Sequence, residues 1–538
     1  MRVASRGAGR GDTRSLAARV ALAAALLAAA SAGAAPTAGA AEPRPNVIVV
    51  MTDDQTVSEL KRWVMPETDA ALRRQGTAFT NATVSSPLCC PSRAGFLTGS
   101  YAHNNGVFDN EPGYRGLTPN GSTLFTWLQA NGYRTGHIGR FLLGYPSDPT
   151  TLQGALAPPG VDRWFGYVDQ ATLYYNALFS DDGILGRTGF DPSGGYTTNV
   201  INREATDFVS AAAPSPKPFF LWVAHIAPHT TNRPQYEACG GGAPIPEPGT
   251  FSRFAAQRLP RPPSFNEKRI SDKPRWVRSR RRLSPERLNL IRRGWRCALA
   301  SLTAVDRGIG ALVTRLAELG ELDDTAIFFT SDNGLTFGEH RLVQAKSYPY
   351  EEVLRVPLLA RIPSDYLGGA SAPREIDKPV TNLDLTATIL ELTGTLPCLL
   401  SSACHSIDGR SLVPLLRGDS AGWPKRRATL VELGNRTCVR DPNARNGLET
   451  FYDAIRTANF FYVELHHVNA TTGLCDRDEY ELYNLRRDPF QLENIAVNPE
   501  HRKASSVQRE LARRLAALRA CAGVEGRDVA VGGRPFCE

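Results

Sequence analysis

The chain has 538 residues, 42% hydrophobic and 22% charged, enough apolar side chain for a large core, which excludes a disordered or fibrous protein. Its formal net charge of +8 at pH 7 argues for an acidic partner only until the N-terminus is set aside: residues 1–41 carry five Arg and one Asp, leaving the remainder near +4, too mild a balance for nucleic acid. This length suits one large α/β domain with a smaller companion better than a string of small modules.

The first forty residues read as an export signal. Arg2, Arg6, Arg10, Arg14 and Arg19 precede the apolar run 20–30, and Ala38-Gly39-Ala40 offers a small-residue cleavage site. That run is too short for a membrane anchor, which needs about twenty residues, and no later segment is expected to span a bilayer. The expected organisation is a cleaved signal over 1–41, a large domain over 42–400 and a smaller subdomain over 401–538.

Residues 46–51 are almost unbroken apolar sequence, as expected of a strand covered on both faces, and lead into Asp53-Asp54. A helix is expected over 122–130, closed by Asn131-Gly132. Residues 219–223 form a second buried strand running toward His225 and His229. The Pro- and Gly-rich stretch 239–274 is expected to be a long surface excursion. Behind it lies a basic run, 268–293, bounded or interrupted by Glu267, Asp272 and Glu286; it reads more simply as a solvated face than as a groove for an acidic polysaccharide. Residues 297–319 keep helical spacing through Leu299, Leu302, Val305, Ile309, Leu312, Val313 and Leu316, and 326–330 make a third buried strand, ending on Ser331-Asp332-Asn333-Gly334. After about residue 400 the segments shorten (451–455, 460–465), and a final amphipathic helix carries Val507, Leu511, Leu515 and Leu518, which indicates a smaller α+β subdomain.

Ten cysteines in an exported chain suggest disulfides, and spacing suggests Cys398 with Cys404, Cys438 with Cys475, Cys521 with Cys537, and Cys239 with Cys297. Cys89 and Cys90 are adjacent, where a mutual bridge would be strained. In an open α/β sheet, ligands bind beyond the carboxyl ends of the strands. Asp53, Asp54, Asp332 and Asn333 would meet there as an all-oxygen set that suits calcium or magnesium better than zinc. The same residues after a strand also serve as helix caps and turn formers, and the pattern alone leaves both uses open.

The segment Cys89-Cys90-Pro91-Ser92-Arg93-Ala94-Gly95-Phe96-Leu97-Thr98-Gly99 matches the C-x-P-S-R signature of sulfatases and extends beyond it. Ser331-Asp332-Asn333-Gly334 resembles that family's second metal motif, and Lys346 with Tyr350-Glu351-Glu352 and Arg355-Val356-Pro357 resembles its sulfate-binding lysine region. Asp408-Gly409-Arg410-Ser411-Leu412 and Glu481-Leu482-Tyr483-Asn484-Leu485 resemble its C-terminal marks. The resemblance implies an alkaline-phosphatase-like α/β fold with a mostly parallel central sheet. It implies that a formylglycine-generating enzyme converts Cys89 to formylglycine, and that one calcium is held by Asp53, Asp54, Asp332, Asn333 and the modified Cys89. Arg93, Arg140 and Lys346 would clamp the sulfate, and His229, in Ala227-Pro228-His229-Thr230, would protonate the leaving oxygen. The double cysteine, Pro158-Pro159-Gly160 and Trp164-Phe165-Gly166 resemble the N-acetylglucosamine-6-sulfatase-like branch; Pro263-Ser264-Phe265-Asn266-Glu267 and Ser271-Asp272-Lys273-Pro274 are shared with secreted arylsulfatases. The implied activity is hydrolysis of a sulfate monoester on a sugar or aryl group. Its alternatives are a phosphonate or phosphodiester hydrolase of the same architecture and a glycan-binding homologue without turnover.

The local chemistry agrees with the resemblance. Pro91 suits the first turn of a helix, whose positive end attracts anions. An aldehyde there would hydrate to a geminal diol, and an adjacent metal would lower the pKa of one hydroxyl. Gly139-Arg140-Phe141-Leu142 departs from the commonest family pattern, G-K-[WY]-H. Arg140 keeps the cation but presents a planar fork in place of a compact ammonium. Leu142 stands where many members have a histidine, so the base that expels sulfate is unassigned, with His103 and His340 as candidates. His225 is expected to be structural.

Overall fold

Asn46–Thr52 is buried along its whole length, with Ile48 and Val50 in one apolar cluster and Val47, Val49 and Met51 in another, because the sheet to which it belongs is covered on both faces. A computed structural model of the chain describes residues 44–145, 156–168, 172–191, 194–231, 239–240, 242–397, 406–434, 450–468, 475–497, 503 and 505–538. The expected export signal and the pairings of Cys398 with Cys404 and Cys438 with Cys475 lie outside the described residues.

Among the described residues the central sheet has ten strands. Its middle is parallel and runs Thr325–Ser331, Asn46–Thr52, Phe219–Ala224, Arg134–Arg140, Arg163–Tyr167. Leu358–Arg361 joins one side of this core antiparallel, followed by Thr77–Phe79 and Glu375–Ile376; Leu178–Asp181 and Ile184–Arg187 extend the other side antiparallel. Register positions the site. Met51 lies opposite both Ala224 and Thr330, and Gly139 lies opposite Ala224, so four neighbouring strands end at one level. The residues that follow, Asp53-Asp54, His225 and Asp332-Asn333, together with Arg140, emerge at one edge. Gly139 has φ 112°, and a Cβ there would meet the Ala224 carbonyl oxygen at 2.0 Å, so only glycine lets the two strands approach in this way.

The long helix beside the sheet is Pro285–Glu318, which starts well before the expected 297. Ser284 accepts the Arg287 N–H as N-cap, Pro285 fills the first position, and Ile291 and Trp295 bury a face that the surrounding arginines obscure in the sequence. By length and composition this helix could cross a bilayer, contrary to the expectation that no later segment could. Its apolar stretch is 67% buried inside the protein, packed against Thr197–Ala212 and the sheet. The stretch 239–274 is also not the surface excursion expected. Cys239 is bonded to Cys297 on the long helix, and Ile245, Phe254, Glu267 and Lys273 are buried. The disulfide and these buried side chains bind it to the core.

Cys89–Thr98 is a ten-residue helix whose every residue is buried; it ends at Gly99 in the left-handed region. The helix expected over 122–130 is Leu124–Ala130, capped by Thr123. Past residue 400, Ala428–Leu433, Thr450–Thr457, Phe460–Val468 and Cys475–Asn484 form a four-stranded antiparallel sheet. One face receives Leu511, Leu515 and Leu518 of the helix Ser506–Leu518; the other packs Val431, Tyr452, Val463 and Tyr483 against Leu88, Tyr350 and Leu354. The second sheet therefore supports the segment that leads into Cys89. Cys521–Cys537 is formed as expected, and Cys89 and Cys90 are both free.

Candidate active site

The polypeptide brings all nine expected residues into one connected cluster. The Cys89 thiol lies 3.6 Å from Asp53 Oδ1 and accepts from Lys346 Nζ at 2.8 Å; the same ammonium donates to Asp54 Oδ1, also at 2.8 Å. Arg93 donates through Nη2 to Asp53 Oδ2 (2.9 Å), through Nε to Asp332 Oδ2 (2.8 Å) and through Nη1 to the Arg140 carbonyl (2.5 Å). Arg140 Nη1 pairs with Asp53 Oδ2 at 2.9 Å. His229 Nε2 is 3.6 Å from Asp54 Oδ2 and 3.9 Å from Asp53 Oδ1, while its Nδ1 is bonded to the Thr230 carbonyl at 2.5 Å.

Asp54 is held in the left-handed region, φ 70°, with its N–H given to Asp332 Oδ1 at 3.1 Å, a strained conformation of the kind found where side-chain direction matters more than backbone comfort. Burial would raise the Asp53 carboxyl, but the Arg140 and Arg93 guanidinium groups and the Lys346 ammonium outweigh it and hold it well below the usual carboxylate range. Burial and the neighbouring Asp53 push Asp332 the other way, up to about 6. Burial, reinforced by Asp53, raises the Cys89 thiol well above its ordinary value, so the unmodified side chain is not a thiolate at neutral pH. Burial and Lys346 lower His229 to about 4, which leaves it neutral with its proton on Nδ1 toward Thr230 and its Nε2 lone pair facing the carboxylates.

Two oxygens in this buried cluster, Asp54 Oδ2 and Asn333 Oδ1, have no hydrogen-bond partner among the described residues. Buried polar atoms are nearly always paired, so two orphan acceptors on residues joined by the Asn333 Nδ2 to Asp54 Oδ1 hydrogen bond (2.6 Å) fit a hard cation. Asp53, Asp54, Cys89 and His229 each offer a ligand atom within 4.8 Å of the others. Asp332 stands apart: Asp54 N–H takes one of its oxygens and Arg93 Nε the other. Arg93 has its side chain wholly buried and its donors committed within the protein, whereas Arg140 (9% exposed) and Lys346 (18%) retain an open edge.

His103 and His340 lie outside this cluster. His103 Nδ1 meets Glu432 and its Nε2 the Cys521 carbonyl; His340 Nδ1 meets Glu267 at 2.8 Å, and its ring stacks on Tyr350. The hydrogen bond to Glu267 and the Glu352 carboxylate 3.8 Å from Nε2 raise His340 to about 9 in spite of burial, which makes it a cation at neutral pH. Leu142 is packed in the apolar core, and His225, which burial lowers to about 3, is neutral, with its Nδ1 unpartnered among the described residues. Three supports escaped the sequence reading. Asn110 Oδ1 accepts the Cys90 N–H at 2.9 Å at the start of the helix, the Leu143 N–H points at Cys90 Sγ at 3.1 Å, and the Tyr174 hydroxyl holds the His229 carbonyl at 2.7 Å. None carries a local motif, and each depends on a distant segment.

Residues 45–395 match the family model described as Sulfatase, and residues 338–521 match one described as N-sulphoglucosamine sulphohydrolase, C-terminal. The chain belongs to the sulfatase family. It is 31% identical to human N-acetylglucosamine-6-sulfatase, over 85% of this chain and 82% of that protein. It is also 31% identical to the extracellular sulfatase SULF-1 homolog of Drosophila melanogaster, over 74% of this chain but only 34% of the relative's length. A solved structure in complex with its substrate, D-glucosamine-2-N,6-O-disulfate, superposes with a TM-score of 0.67 at 25% identity, covering 88% of this chain and 97% of that one. The phosphonate monoester hydrolase of Agrobacterium radiobacter shares the fold, with a TM-score of 0.64 at 20% identity over 88% of this chain and 95% of its own.

Proposed function

We propose that this chain is an exported sulfatase that hydrolyses sulfate monoesters of sugars, with Cys89 converted to formylglycine and calcium bound at the strand ends. The observation that carries the reading is the setting of Cys89: a buried, protonated thiol at the start of a wholly buried helix, ringed by Arg140, Lys346 and His229 and set beside two unpartnered oxygens. A thiol there is a poor nucleophile, while an aldehyde in its place supplies a geminal diol. Asp53, Asp54 and Asn333 would hold calcium, which would neutralise charge building on the sulfate oxygens.

The chain's own groups divide the remaining work. Lys346 and Arg140, which keep a small exposed edge, bind the ester's sulfate oxygens, where dry, pre-placed cations are most effective. Arg93 keeps Asp53 and Asp332 apart and oriented, a positioning role that replaces the expected clamp. His229 donates its proton to the departing oxygen from Nε2, because Nδ1 is committed to Thr230. It is neutral in the resting protein, and the anionic ester brought beside it favours the imidazolium, so proton uptake accompanies substrate binding. The sugar-sulfate substrate class rests on the human relative's name and on the glucosamine disulfate in the solved neighbour.

Co-expression with a formylglycine-generating enzyme, followed by assay on N-acetylglucosamine 6-sulfate and 4-nitrophenyl sulfate, tests the proposal. Sulfate is expected from both, and the Cys89 peptide is expected to carry the aldehyde mass. Turnover of matched phosphonate or phosphodiester substrates with no sulfate release would transfer the chain to the alternative chemistry. Binding of sulfated sugar with an unmodified Cys89 and no turnover would make it a glycan-binding homologue.

A further inference from the structure

The imidazole of His229 takes its direction from the peptide that follows it, and that peptide is fastened on both sides by one short segment. Nδ1 is bonded to the Thr230 carbonyl at 2.5 Å. Just before Thr230, the Tyr174 hydroxyl donates to the His229 carbonyl at 2.7 Å; just after it, Thr231 Oγ1 donates to the Thr172 carbonyl at 2.8 Å. Tyr174 and Thr231 are only 1% and 3% exposed, so both bonds are made away from bulk water, where they are strongest. Burial, with Tyr196, Asp53 and Asp54 nearby, pushes the Tyr174 phenol well above its ordinary value, which keeps it a protonated donor at neutral pH.

The segment 172–174 is itself anchored. Leu173 N–H donates to the Tyr167 hydroxyl at 2.8 Å, and Tyr167 ends the strand Arg163–Tyr167 opposite Arg140 in the register of the sheet. Thr197, the first residue of the helix Thr197–Ala212, gives its N–H to the Tyr174 carbonyl at 2.8 Å and its hydroxyl to the Leu173 carbonyl at 3.1 Å. The Tyr174 ring stacks on Tyr196 with centroids 6.0 Å apart, and the Tyr196 hydroxyl donates to the Ile245 carbonyl at 2.9 Å. Sheet edge, helix N-terminus and the buried 239–274 stretch therefore all hold the segment that holds His229. His225, four residues earlier on the same loop, has its Nδ1 unpartnered among the described residues, so the ring-orienting bonds belong to His229 and not to the loop as a whole.

Resting on the sulfatase reading above, we propose that Tyr174 is a positioning residue of the reaction: with Thr231 it fixes the Thr230 peptide that holds His229 Nδ1, and so keeps Nε2 aimed at the departing oxygen. Holding one ring nitrogen sets the tautomer and the direction of the other. In the transfer step the Nε2–H bond breaks as the O–H bond of the alcohol forms, and the electron pair of the breaking S–O bond passes to that oxygen. The Nδ1 proton stays with Thr230, and Tyr174 keeps its own. Without the phenol hydroxyl the His229 carbonyl becomes a buried acceptor lacking that donor; the peptide can then turn, and the Thr230 carbonyl that orients the ring turns with it. A general acid works only within hydrogen-bond reach of the oxygen it protonates, so a small rotation of the ring is felt in the rate.

The test is Tyr174→Phe, which removes one hydroxyl and keeps the stacked ring, with Thr231→Val as a second variant that removes the other bracketing bond. In each, kcat for N-acetylglucosamine 6-sulfate should fall by roughly tenfold, a part of the 10²- to 10⁴-fold that general acid catalysis is worth, with KM within about twofold of wild type. Across a series of aryl sulfates the loss should grow with the pKa of the departing phenol, and in the His229→Ala background Tyr174→Phe should cost nothing further. A role in packing alone would slow every ester alike and would add to His229→Ala; either result overturns the assignment. Nitrogen NMR of histidine-labelled Cys89→Ala protein reads the tautomer of His229 without any turnover. It should show the proton on Nδ1, and the further substitution Tyr174→Phe should give a mixture of the two tautomers. If wild type releases sulfate from no ester, the sulfatase reading fails and the tautomer decides alone: a mixture upholds the bracket around Thr230, and an unchanged Nδ1 proton overturns it.

Discussion

Two buried clusters of charge among the described residues differ in where their unpartnered atoms face. Around His340, most groups find a partner on another segment, although Glu481 Oε2 has none. His340 meets Glu267 at 2.8 Å, Lys273 meets Glu267 at 3.5 Å and the Leu492 carbonyl at 2.7 Å, Ser264 donates to Glu352 at 2.8 Å, and Tyr350 to Glu481 at 3.0 Å. The unsatisfied atoms His340 Nε2 and Glu352 Oε2 face each other at 3.8 Å. Around Cys89, by contrast, Asp54 Oδ2 and Asn333 Oδ1 have no hydrogen-bond partner among the described residues, and Lys346, Arg140 and His229 surround the same carboxylates. Burial and perturbed protonation are common to both clusters. What separates a site from a brace is whether the charges answer one another or wait for something from outside.

The most drastic way to break this comparison is Cys89→Ala. Turnover should fall by roughly 10⁴-fold or more, as when a nucleophile is removed, with the melting temperature little changed. An active Cys89→Ala protein would refute the site. Asp54→Asn removes one acceptor charge while keeping the shape; metal analysis should find calcium lost along with activity. Stoichiometric zinc in wild type, or turnover undiminished by thorough chelation, would show that the orphan oxygens do not hold a hard cation. His229→Ala should slow cleavage of N-acetylglucosamine 6-sulfate by roughly 10²- to 10⁴-fold, the usual worth of general acid catalysis. Its effect on 4-nitrophenyl sulfate should be far smaller, because a phenol leaves without a proton. Equal losses on both esters would make His229 a binding residue.

Much of the active cluster was legible because its parts are either local or repeated by register. Cys89 to Gly99 is one contiguous motif on one helix, and Asp53, Asp54, Asp332 and Asn333 each directly follow a strand whose apolar run is unmistakable. Parallel strands in register bring such ends together without any long-range knowledge. The brace around His340 was illegible for the converse reason. Glu267, Lys273, His340, Glu352 and Glu481 come from separate segments, and nothing in their local sequence states that they meet; His340 therefore looked like a spare base. The helix Pro285–Glu318 was read short because its first turns bury only Ile291 and Trp295 among arginines, and the 239–274 segment was misplaced because proline and glycine conceal how deeply Ile245 and Phe254 are packed.

A smaller effect should follow from His340→Gln, and on stability more than on rate. The folded-state pKa of His340 is raised to about 9 from 6.5, so its pairing stabilises the protein fully below about pH 6.5 and that contribution fades as pH rises through 9. Removing one partner of a buried ion pair costs about 3–5 kcal/mol, so the variant should melt well below wild type at pH 6, with the gap narrowing toward pH 9. Denaturant melts across that range measure it. A variant with wild-type stability and abolished turnover would turn the brace into a catalytic base.

The smallest expected effect is that of Arg140→Lys, which restores the commoner residue at this position. The strand Arg134–Arg140 ends with its guanidinium 2.9 Å from Asp53 Oδ2, and the carbonyl that receives Arg93 Nη1 belongs to the backbone, so a side-chain exchange leaves that support intact. Lysine keeps the charge that holds Asp53 ionised but offers a point in place of a fork, so one contact to the sulfate has to be remade at a different angle. Loss of a full donor in such a site costs about 10²- to 10³-fold, and that is the expectation for Arg140→Met. For Arg140→Lys, kcat/KM should change less than about tenfold in either direction, with calcium content and melting temperature unchanged. If Arg140→Lys fell as far as Arg140→Met, the fork geometry and not the charge would be what the sulfate requires. A fall in melting temperature with retained kcat/KM would instead place Arg140 with the braces, as a partner of Asp53 that never meets the ester.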